Sequence, residues 1–101
     1  MYKTVILPLA KEDIKSTAKW YNKQQKGLGK RFTKEVRKKV AHISKNPENI
    51  VTRYRDVKTA IVDVFPYMIH FIVDQENKTI IISAVFAMAQ SPQNWNAREQ
   101  D

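Results

Sequence analysis

KTAIVDVFPYMIHFIVDQENKTIIISAVFA, residues 58–87, is where the chain commits to a sheet. It holds three runs rich in β-branched and aromatic residues: Lys58–Phe65, Tyr67–Asp74 and Thr79–Ala87. The polar stretch Asp74-Gln75-Glu76-Asn77-Lys78 predicts a hairpin turn between the second and third runs. Pro66 cannot donate to a strand ladder, so it marks a sharp reversal between the first and second. In the second run Ile69, Phe71 and Val73 alternate with Met68, His70 and Ile72. Both sets are largely apolar, as in a central strand.

Upstream, the pattern changes period. Residues 2–7 read as a short strand that Pro8 stops. From about Ala10 to Gln25, Ile14, Ala18 and Tyr21 recur at helical spacing, with Trp20 beside them. Lys26-Gly27-Leu28-Gly29 contains both glycines of the protein and is a turn. A second amphipathic helix runs from about Gly29 to Ser44, with Phe32, Val36, Val40 and Ile43 on one face and Asn46-Pro47 at its end. Residues 47–56 are a polar connection. The order is therefore β-α-α-β-β-β followed by a tail. Helices and strands are segregated, so the expected fold is α+β: a mostly antiparallel twisted sheet with a helical hairpin on one face.

With 101 residues and 43% apolar composition the chain fits a single folded domain, 1–101. It has no Cys, which excludes disulfides, Cys-based zinc sites and a Cys nucleophile. The apolar run Ile80–Ala89 is half of the roughly 20 residues a spanning helix needs. The N-terminal apolar run is too short for a signal peptide, so a soluble cytoplasmic protein is expected.

The net charge of +8 is unevenly placed. Residues 1–46 carry 13 Lys/Arg against three acids, a net +10, and residues 47–101 carry five against seven, a net −2. Lys11, Lys15, Lys19 and Lys23 form one stripe on the first helix; Lys30, Lys34 and Lys38 form another on the second. Such stripes serve either as solvated faces or as sites for an anionic partner: nucleic acid, ribosome or an acidic protein segment. Few of these cations are Arg, which argues against reading of DNA bases. No Walker loop, Ser/His/Asp triad or metal-ligand spacing is present, and no cofactor is implied.

Several stretches resemble the RelE/ParE superfamily of type II toxin–antitoxin toxins. They are Leu7-Pro8-Leu9-Ala10-Lys11-Glu12-Asp13-Ile14, Trp20-Tyr21 with Gln25 to Phe32, Asn46-Pro47-Glu48, Phe65-Pro66-Tyr67-Met68-Ile69, and Ser91-Pro92 with Trp95. They span nearly the whole chain in order. Gly27-Leu28-Gly29 and Phe65-Pro66-Tyr67 fit the ParE-like branch best. The resemblance implies a small basic toxin neutralised by a cognate antitoxin. RelE-like members cleave mRNA in the ribosomal A site, and ParE-like members are associated with inhibition of DNA gyrase. The shared fold does not choose between them.

Members of the family often carry a His and one or two Arg after the last strand. Here that stretch is Ala87-Met88-Ala89-Gln90-Ser91. RNA cleavage needs an acid, a base and cations for the developing phosphorane charge. The cations on offer are Arg53, Arg55 and Lys58, with Arg98 in the tail; the acid–base groups are His70, Tyr67 and Tyr54. His70 sits in an apolar strand, where packing is its simpler role, and His42 lies off the apolar stripe of the second helix. Trp95 suits a tail anchor, and with the two Lys stripes it completes the candidate partner contacts. Three functions follow: a ParE-like toxin that binds DNA gyrase and needs no chemistry of its own, a RelE-like mRNA endonuclease, or a decayed toxin that retains only antitoxin binding.

Overall fold

A computed structural model of the protein describes residues 1–47, 50, 52–54 and 56–89. The elements are β1 (Lys3–Ile6), α1 (Pro8–Gln24), α2 (Leu28–Lys45), β2 (Thr52–Tyr54), β3 (Val57–Ile61), β4 (Tyr67–Asp74) and β5 (Thr79–Ala87). They form one five-stranded sheet in the order β1-β5-β4-β3-β2. β1 runs parallel to β5, and the other neighbours are antiparallel. The expected order of helices and strands and the mostly antiparallel sheet are both present, and β4 is the central strand.

The differences from the sequence reading are local. Pro8 begins α1 as well as ending β1: its fixed φ suits a first helical position, whose N–H has no partner in any helix. The connection 47–56 carries the short edge strand β2. The run expected to extend to Phe65 stops at Ile61. Beyond it the chain turns: the Val62 N–H donates to the Tyr67 carbonyl at 2.9 Å, and the Tyr67 N–H to the Phe65 carbonyl, across Pro66, at 2.8 Å. Val64 adopts φ 77° within this turn, a left-handed conformation that strains a β-branched residue.

The core lies between the hairpin and the sheet. Ala10, Phe32, Val36 and Ile43 of the helices meet Ile69, Phe71, Ile80, Ile82 and Val85 of the central strands. Each Phe or Ile buried this way contributes roughly 1.5–3 kcal/mol. Tyr21, Phe32, Phe65 and Tyr67 form an aromatic cluster that ties hairpin to sheet, with ring centroids 4.9–6.2 Å apart. Where β1 gives way to α1, β5 loses its outer neighbour. Asp13 of α1 replaces it there, accepting the Val85 N–H at 3.0 Å.

Candidate functional site

Two surfaces carry the polar groups of interest. One is the sheet face turned away from the helices. Residues opposed across a ladder share a face, so His70, paired with Thr59 and Ala84, looks to this side with Met68 and Phe86. A bulge between His70 and Phe71 lets β4 and β5 keep apolar residues toward the core on both sides of the irregularity. His70 is completely buried. Its Nδ1 lies 3.0 Å from the Tyr54 hydroxyl, and its ring packs on Phe86 at 5.1 Å between centroids. The Ser83 hydroxyl donates to the His70 carbonyl at 3.3 Å. The strand β2, which the sequence pattern hid, is what delivers Tyr54 to this position.

Lys58 does not join this group. It is paired with Phe71, and so lies on the helix side of the sheet. There its Nζ donates to the Pro47 carbonyl at 3.1 Å, beyond the end of α2. Tyr67 also points to the helix side, within the aromatic cluster. Arg53 enters only as a backbone position in β2, and Arg55, Trp95 and Arg98 lie outside the described residues. The candidate catalytic residues His70 and Lys58 are thus on opposite faces of the sheet. Among the described residues, no three His, Cys, Asp or Glu side chains group as a metal site would require. No described helix is long and apolar enough to cross a membrane.

The second surface is the hairpin. α1 and α2 pack closely because Gly29 sits against the Ala18 carbonyl, where a side chain would collide. The Asn22 side chain accepts the Gly29 N–H at 2.8 Å and satisfies one donor of the α2 first turn. Along the seam runs a groove with Ile14, Ala18, Val36 and Val40 as its floor. Lys11, Lys15, Lys19 and Lys23 all line it from α1, and Arg37 faces them from α2. Arg37 fell outside the Lys stripes read from the sequence; its signal was its position one residue after the apolar Val36. Lys30, Lys34 and Lys38 lie elsewhere, on the part of α2 turned away from the core. Lys39 pairs with Asp63 at 3.4 Å, tying α2 to the β3–β4 turn, and His42 is exposed beside them.

No curated protein matches the sequence. Among solved structures, a chain of the chromosomal ParDE toxin–antitoxin system from P. aeruginosa superposes with a TM-score of 0.75 at 15% identity, over 86% of this chain and 96% of that one. The isolated E. coli RelE toxin superposes with a TM-score of 0.67 at 16% identity, over 99% and 98%. A chain of the E. coli RelBE toxin–antitoxin complex gives 0.67 at 15% identity, over 90% and 100%. At these identities the likeness is one of fold. The sequence itself matches, over residues 5–92, the family described as the ParE toxin of type II toxin–antitoxin systems, parDE. With that match covering most of its length, the chain belongs to the ParE toxin family.

Proposed function

We propose that this protein inhibits growth by binding DNA gyrase and that a cognate antitoxin neutralises it. Among the described residues, the observation that carries a binding mode of action is the placing of His70 and Lys58 on opposite faces of the sheet. A general acid must reach the leaving oxygen, but His70 is completely buried and Lys58 is spent on a backbone carbonyl across the sheet. Binding demands no such convergence. The groove between α1 and α2 supports an antitoxin partner of definite chemistry: an amphipathic segment with apolar residues on Ile14, Ala18 and Val40 and carboxylates toward Lys11, Lys15, Lys19 and Lys23. The E. coli RelBE structure, similar in fold, is itself a toxin–antitoxin complex.

The test is pulse labelling after induction of this protein alone in a bacterium, paired with a supercoiling assay on purified gyrase. Thymidine incorporation is expected to fail first, and supercoiling to be inhibited by the purified chain. Collapse of amino-acid incorporation within minutes would replace gyrase with the ribosome and identify an mRNA endonuclease. No effect on either, with soluble protein accumulating, would identify a toxin that has kept only antitoxin binding.

A further inference from the structure

Outside the groove, the helical hairpin has a second charged surface. Gly27, Lys30, Arg31, Lys34, Glu35 and Lys38 line one shallow depression along α2, on the side turned from the core. Its four cations are exposed. The one acid, Glu35, is drawn inward, its side chain only 12% exposed, whereas the Lys38 side chain paired with it at 3.8 Å is 70% exposed. At 3.8 Å, near the outer limit of an ion pair, and with the Lys38 end in solvent, the contact holds Lys38 weakly, so its ammonium is available to a stronger anion.

We infer that this face of α2 is a binding site for double-stranded DNA, held through its phosphates without regard to base sequence. Charge complementarity decides the class of ligand. Lys30, Lys34 and Lys38 are each separated by about 6 Å along the helix axis, and a duplex presents about seven phosphates over the ~12 Å they span. An acidic protein segment is a poor fit, because protein interfaces depend on apolar or aromatic anchors. Among the described residues, none of the exposed large apolar side chains is on α2. Single strands are bound by stacking bases on aromatic rings, and the face has no aromatic residue. Duplex RNA is recognised largely by shape over about 16 base pairs, across two successive minor grooves, a longer track than the ~12 Å of this row. Lysine as the main cation gives attraction without bidentate base contacts. The site is separate from the antitoxin groove and does not depend on gyrase being the target.

The experiment is fluorescence anisotropy of a labelled 24-base-pair random-sequence duplex with the full chain, across a salt series. Binding is expected, and log K should fall with log salt with a slope near −4, one phosphate for each of the four cations. The triple variant Lys30→Gln/Lys34→Gln/Lys38→Gln should flatten that slope by about 3 and weaken binding at least tenfold at low salt. The groove variant Lys11→Gln/Lys15→Gln/Lys19→Gln/Lys23→Gln should leave the slope within about 1 of the parent. Circular dichroism confirms that each variant is folded. Absence of binding at low salt overturns the inference. So does an unchanged slope in the α2 variant, or an equal loss in the groove variant. Binding of single-stranded RNA, duplex RNA or polyglutamate as tightly as duplex DNA also overturns it, by showing a site for another polyanion.

Discussion

Gly29 is where the two helices touch. Its φ is ordinary for a helix, so its value lies in the missing Cβ, which would meet the Ala18 carbonyl and the Asn22 side chain. Gly29→Ala gains about 1 kcal/mol of helix propensity. Forcing a methyl group against backbone costs more, typically 1–3 kcal/mol for overpacking, and separating the helices also strains the Asn22 bond worth about 1 kcal/mol. The expected result is a net loss of about 1–2 kcal/mol in chemical denaturation. Equal or greater stability of the variant would show that the hairpin can open at no cost. Gly27 differs: it occupies φ 89° before α2, where a glycine has conformational freedom that other residues lack, and its surroundings are open.

At the scale of elements, α1 is both a cover for the sheet and a partner to its edge. β1 pairs with β5 only from Thr79 to Ile82. Past that point the outer side of β5 faces α1, and Asp13 accepts the Val85 N–H. A charged acceptor makes such a bond worth about 1.5–3 kcal/mol. Asp13→Ala should therefore lower unfolding free energy by about 2 kcal/mol, and hydrogen exchange should accelerate at Val85 more than at Ile80 or Ile82. Uniform acceleration across β5 would mean that Asp13 acts on global stability only. The same division of labour separates the Lys stripes. The α1 stripe borders the groove while the α2 stripe faces away from the core, because α2 turns its Phe32/Val36 face to the sheet and its Val40 edge to α1.

For the molecule as a whole, the aromatic cluster is where hairpin and sheet are joined, and it carries a titratable group. Burial, with the neighbouring Tyr67 phenol second, pushes the Tyr21 hydroxyl above its ordinary value. The folded state then holds that proton to higher pH than the unfolded chain does. Stability from this source is complete below the unfolded pKa of about 10 and declines as pH rises through it toward the raised folded value. Tyr21→Phe keeps the ring contacts and removes the proton, so its stability should fall less between pH 9 and 11 in denaturant titrations. An identical alkaline decline in the variant would assign the effect to other groups.

The α+β class, the helical hairpin and the strands Tyr67–Asp74 and Thr79–Ala87 were legible from periodicity, because a 3.6- or 2-residue repeat of apolar side chains is written in the chain itself. The Lys stripes were legible for the same reason. β2 was not, since three residues are too few to show a period and its place depends on pairing with β3. The helical start at Pro8 was missed because one proline can end a strand and open a helix at once. Sequence also could not say that His70 and Lys58 lie on opposite faces of the sheet. Neighbouring strands decide that through their register, and register is a long-range property: it is set by which residues of β3, β4 and β5 meet across the sheet.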